Sequence, residues 1–166
     1  MSWLERFDAF VNRALAWAAG LALIAMMVFT VADMVLRALG RPVAGSYEII
    51  GWLSAAAMAL ALGYTQQHRG HVAIDLLTTR LQGRTRAAVE LLMSLLALLL
   101  FAALAWYLAR YGRVLHETGS LSETLKAVVY PWVYVVAAGA AGLALALLVD
   151  FLRSAARLRA AQRQSW

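Results

Sequence analysis

Four stretches of this chain are too long and too apolar for a water-soluble fold to hide. They are Ala14 to Ala32, Ile49 to Thr65, Leu91 to Ala109 and Ala127 to Val149. None holds an ionisable side chain in its middle, and each ends in charge: Asp33 and Arg37, His68 and Arg69, Arg110 and Arg113, Asp150 and Arg153. About 20 apolar residues cross a bilayer as a helix. Backbone groups in hydrocarbon must pair within their own segment, so each stretch is expected to be helical. Strands of a membrane barrel would alternate polar with apolar residues, and none of the four does so. Composition agrees, with 63% hydrophobic and 14% charged residues, against roughly 45–50% and 25% in soluble domains.

The expected fold is an all-α membrane protein forming a single domain over residues 1–166. Its transmembrane helices span about 14–37, 47–66, 88–110 and 127–152. A short amphipathic helix is expected between the second and third, because Val72, Ile74, Leu76, Leu77 and Leu81 lie among polar residues in a segment suited to the headgroup region. Residues 38–46 contain Gly40, Pro42 and Gly45 and read as a tight turn. Pro131 reads as the first turn of the last helix, where a missing N–H costs little. The neutral segment before residue 14 lacks the basic start of a cleaved leader, so the first helix is expected to be retained.

Lysine and arginine distribution sets the expected orientation. One side takes Arg6, Arg13, Arg69, Arg80, Arg84, Arg86 and the four arginines between 153 and 163. The other takes Arg37, Arg41, Arg110, Arg113 and Lys126. The richer side is cytoplasmic on this reading, as are both termini. The net charge of +6 is thereby explained by membrane topology without invoking nucleic acid.

Several residues stand out. Asp33 and Arg37 lie four apart and meet on one helix face. Glu48 opens the next helix after a tight turn and is expected to join Arg37 or Arg41. These four form either a polar clasp for the first hairpin or a contact to a partner subunit. Gly51, Ala55, Ala59 and Gly63 recur every four residues, a spacing that lets helices approach closely. Ala14, Ala18 and Ala22, and Ala138, Gly142 and Ala146, repeat the pattern. Cysteine is absent. His68, His71 and Asp75 have ligand chemistry, but their basic interfacial setting favours solvated side chains over a metal. A haem between helices would need histidines facing each other inside the bundle, and the three histidines lie at ends. No nucleotide, nucleophile-elbow or zinc-protease motif occurs. Nothing points to an enzyme or to a cofactor.

Three places together resemble the small membrane subunit (DctQ-like) of tripartite ATP-independent periplasmic (TRAP) transporters. One is Val35-Leu36-Arg37, then Arg41-Pro42, then Ser46-Tyr47-Glu48-Ile49. Another is His71-Val72-Ala73-Ile74-Asp75-Leu76-Leu77, which gives His71 and Asp75 as an interfacial loop motif. The third is Leu125 to Tyr134, with Pro131 and Trp132. The resemblance implies a bacterial inner-membrane subunit that pairs with a large membrane subunit as a heterodimer. A soluble periplasmic binding protein would deliver an organic acid to the pair. Sodium would bind the large subunit, not this chain. Two other classes remain open on the residues alone: a membrane anchor of a respiratory enzyme, and a small self-sufficient exporter.

Overall fold

The computed structural model describes residues 2–68 and 84–163. Four helices long and apolar enough to cross a membrane run in antiparallel sequence: α1 (Ser2–Ala38), α2 (Ser46–Gln67), α3 (Arg84–Glu117) and α4 (Tyr130–Arg163). No strand occurs among the described residues, although Leu121 and Val128 form an isolated antiparallel bridge. The expected interfacial helix, together with His71 and Asp75, lies outside the described residues.

The helices outrun the apolar stretches at their ends. The 37 residues of α1 extend about 55 Å at 1.5 Å per residue, well beyond the roughly 30 Å of hydrocarbon. Polar residues are tolerated in such overhangs because headgroups and water solvate them. Both α1 and α3 stop on a glycine in the left-handed region, Gly40 (φ 75°) and Gly119 (φ 63°). Arg41 N donates to the carbonyl of Leu36 at 2.8 Å, and Gly40 N to that of Arg37 at 3.0 Å. Ser120 N donates likewise to Leu115 O, and Gly119 N to His116 O. These paired bonds satisfy the last helix carbonyls and favour glycine at the left-handed turn position. Lys126 takes a left-handed φ of 51° just before residues 127–129, which lead into α4, and Pro131 falls in the first turn of that helix.

The packing is not a square bundle. α2 and α4 run parallel and form the centre, with α1 against both and α3 against α4 alone among the described helices. The core is built of Ala56, Ala59, Leu60, Ala137, Ala140, Leu143, Ala146 and Leu147. Gly139 makes the closest approach to another helix's backbone among the described glycines: a Cβ there would fall on the carbonyl of Ala59 and lie 2.8 Å from the nitrogen of Leu60. Small residues allow such contact where lipid offers no hydrophobic drive to associate.

The outer helices each use one narrow seam. On α1 the inward positions are Asp8, Asn12, Leu15, Ala19, Ala22, Met26, Phe29 and Asp33. On α3 they are Leu91, Ser94, Leu98, Phe101, Ala105, Leu108, Gly112 and Leu115. Steps alternate between three and four, the spacing of shallow helix crossings near about 20°. The opposite faces of both helices are exposed, including Ile24, Met27, Val31, Leu99, Leu100 and Tyr107.

Candidate functional site

Among the described residues, the polar contacts between elements fall at two ends. One end holds the loops 39–45 and 118–129. The other holds the start of α1 and the ends of α2 and α4.

At the loop end, the Asp33–Arg37 pair forms at 2.9 Å between Oδ2 and the guanidinium. The other oxygen of Asp33 accepts from the backbone N of Val43 at 3.1 Å. The carboxylate is buried while the guanidinium is half exposed and lies over the ring of Tyr47, 5.7 Å from its centre. One side chain thus holds both the last turn of α1 and the loop after it. Ser46, also buried, follows directly.

Glu48 does not meet Arg37 or Arg41, contrary to expectation. Its two oxygens accept from the backbone N of Thr124 at 2.8 Å and of Leu125 at 3.1 Å. The chain between them closes on itself, with Ser122 N donating to Ala127 O and Ala127 N to Ser122 Oγ. Leu125 then covers Gly45 so closely that any Cβ there would meet its side chain. The two loops are locked by one carboxylate and one leucine. A carboxylate wins this position because it can satisfy two adjacent backbone donors at once, and charge-assisted bonds are the stronger kind. Arg41 is exposed and makes no ion pair among the described residues. Below the loops Trp52 stacks on Trp132, with ring centres 5.6 Å apart.

At the opposite end, a second network forms that the sequence reading did not single out. Asn12 Nδ2 donates to Asp8 Oδ1 at 2.7 Å, and Gln67 Nε2 to Asp8 Oδ2 at 2.7 Å. Gln66 Nε2 donates to Asp150 Oδ2 at 3.0 Å, and Arg153 Nε to Glu5 Oε1 at 2.9 Å. These bonds tie α1, α2 and α4 together. Asn12 is fully buried, and its Oδ1 has no hydrogen-bond partner. That oxygen sits against Gly63, and a Cβ on Gly142 would lie 3.0 Å from it. The local signal was present: Asp8 and Asn12 are four apart, and two glutamines end α2. The glutamines bond to Asp8 and Asp150, 59 and 84 residues away, so no local pattern pairs them.

The small-residue stripe of α2 divides. Ala59 and Gly63 are buried against α4 and α1, whereas Gly51 and Ala55 are exposed. Nothing lies within 4 Å of a Cβ built on Gly51. On α4 the buried row holds Gly142 and Ala146 but leaves Ala138 out, and on α1 Ala14 and Ala18 are exposed. The arrangement holds helices in fixed register, with carboxylates engaged as backbone and side-chain acceptors.

The family model of the DctQ component of tripartite ATP-independent periplasmic transporters matches residues 26–157. Among curated proteins and among solved structures, none matches the chain. The matched range includes Asp33, Arg37, Arg41, Glu48 and the 118–129 loop.

Proposed function

The chain belongs to the DctQ family, the small membrane subunits of TRAP transporters, and on that premise we propose that it works as a non-catalytic scaffold. It is a multi-pass protein of the inner membrane. On our reading it braces the large membrane subunit of a sodium-coupled, binding-protein-dependent transporter for organic acids. The large subunit supplies the sodium and substrate sites, and this chain carries neither a cofactor nor a catalytic group. Both termini face the cytoplasm, following the arginine bias. The loop end then faces the periplasm and helps to dock the binding protein.

The observation that carries the scaffold reading is the use made of the carboxylates. Intramembrane carboxylates commonly mark ion or substrate routes. Here Asp33 and Glu48 are each bonded twice or more to the chain's own turns. Such groups act as fasteners, and a solute-carrying role would break the loops they hold. This favours a scaffold over a self-sufficient exporter.

A tagged copy expressed with its genomic neighbours tests the proposal. Co-purification with a larger multipass protein is expected, along with binding-protein-dependent uptake only when both membrane subunits are present. A monodisperse lone subunit that transports a solute in liposomes, and loses that activity on Glu48→Gln, would overturn it.

A further inference from the structure

The start of α1 has a face that neither the bundle nor the polar network uses. Asp8 and Asn12 point inward. Turned away from them are Trp3, Arg6, Phe10, Arg13 and Trp17. Steps of three and four residues put all five on one stripe of the helix. All are exposed, with Trp3 at 74%, Phe10 at 73% and Trp17 at 73%. The stripe alternates aromatic, arginine, aromatic, arginine, aromatic.

Charge at this end is segregated. Glu5 bonds to Arg153, Asp8 to Asn12 and Gln67, and Asp150 to Gln66. These three carboxylates are thus engaged by the chain's own side chains, and Asp8 is buried. Arg6 and Arg13 have no carboxylate partner among the described residues, and both face outward.

Depth follows from helix geometry. The uncharged run from Ala14 to Ala32 rises about 28 Å at 1.5 Å per residue, close to the roughly 30 Å thickness of bilayer hydrocarbon. Arg13 therefore stands at the edge of the hydrocarbon. Arg6 lies two turns further out, about 10 Å along the axis. Trp17 lies about one turn inside. Tryptophan beside arginine at this depth combines an interfacial anchor with a cation that has no counter-charge.

We propose that Arg6 and Arg13, framed by Trp3, Phe10 and Trp17, form a binding site for the phosphate headgroup of an anionic phospholipid on the outer side of α1. The two arginines flank Phe10, so their long side chains can converge on a phosphate held above that ring. The guanidinium fork matches phosphate oxygens two at a time. Trp17, about one turn inside the hydrocarbon edge, fits the glycerol and upper acyl region, while Trp3 lies beyond the headgroup side of the site. An acidic side chain of a partner protein would satisfy the charge, but a phosphate is the anion that this depth of a bilayer supplies.

Native mass spectrometry of the full-length chain in neutral detergent tests the site, titrating phosphatidylglycerol and phosphatidylcholine in turn. Tighter retention of phosphatidylglycerol is expected. Each basic residue near a membrane surface is worth about a fivefold change in affinity, so R6Q/R13Q should weaken phosphatidylglycerol binding roughly thirtyfold. R6K/R13K should recover most of the loss. Neither pair touches the core, so melting curves in detergent should coincide with wild type. The proposal is overturned by equal binding of the two lipids, or by full binding in R6Q/R13Q. It is also overturned if R110Q/R113Q, altered at the opposite end, loses as much. Loss of a protein partner without any change in lipid binding would assign the stripe to that partner instead.

Discussion

Replacing Gly139 by alanine puts the central α2–α4 contact to the test. The new Cβ would fall on the Ala59 carbonyl and stand 2.8 Å from Leu60 N. Ordinary contact begins near 3.4 Å, so the helices would have to part by at least about 0.6 Å at a site of tight packing. Both obstacles are backbone, and no rotamer change relieves them. Parting α2 from α4 also loosens Ala56, Leu60, Ala140 and Leu143, all of which are buried. Overpacking of this kind costs about 1–3 kcal/mol. Alanine recovers about 0.5–1 kcal/mol through its better helix propensity. Because both obstacles are backbone the upper half of the overpacking range applies, and a net loss of roughly 1–2.5 kcal/mol corresponds to a melting-temperature drop of about 2–10 °C for a chain of this size. Thermal unfolding of the purified chain in detergent, followed by tryptophan fluorescence, reads this directly. Gly51→Ala is the internal comparison. Nothing lies within 4 Å of its new Cβ, so only the propensity gain remains, and the melting temperature should rise by roughly 1–4 °C. The reasoning is refuted if G139A is as stable as wild type, or if the two variants shift in the same direction. Repeating G51A in the co-purified complex adds a second reading. Weaker retention of the large subunit, with the lone chain still stable, would place the exposed half of the stripe at the subunit interface.

Three further outcomes follow from the end networks. Glu48→Ala removes the acceptor for two adjacent backbone donors, so hydrogen exchange at Thr124 and Leu125 should accelerate by about tenfold or more, with α3 and α4 unaffected; unchanged exchange would mean that the loop holds itself. Gly63→Ala should destabilise the chain by driving a Cβ into Asn12 Oδ1, and Asn12→Ala in the same chain should restore part of the loss; strictly additive effects would show that the two positions do not touch. Asp33→Asn keeps an oxygen for Val43 N and should lower the melting temperature less than Asp33→Ala, which removes both bonds; equal effects would reduce the residue's role to its charge.

Some of this was legible at short range. Asp33 and Arg37 lie one helical turn apart, and that pair forms as spacing alone requires. Glu48 carried no comparable signal. Its partners are 76 and 77 residues on, in a loop whose shape depends on Ser122, Lys126 and the isolated Leu121–Val128 bridge. The small-residue stripes were harder still. Alanine occurs on every face of these helices, so a four-residue repeat did not say which repeat is packed. The row that α1 buries runs instead through Asp8, Asn12, Ala19 and Asp33.

The amino-acid sequence alone determined the number of spans, their helical state and the placement of charge at their ends. The physical reason is that the hydrocarbon thickness and the need to satisfy the backbone act on each segment by itself. Only the tertiary structure decided which helices touch, which half of the α2 stripe is buried, and which donors the carboxylates serve. In a soluble bundle an apolar face announces the core. In lipid the outward face is apolar too, so facing is settled by close backbone approach at Gly139 and Gly63 and by long-range bonds from Asp8 and Glu48. Those contacts form only once the helices have met.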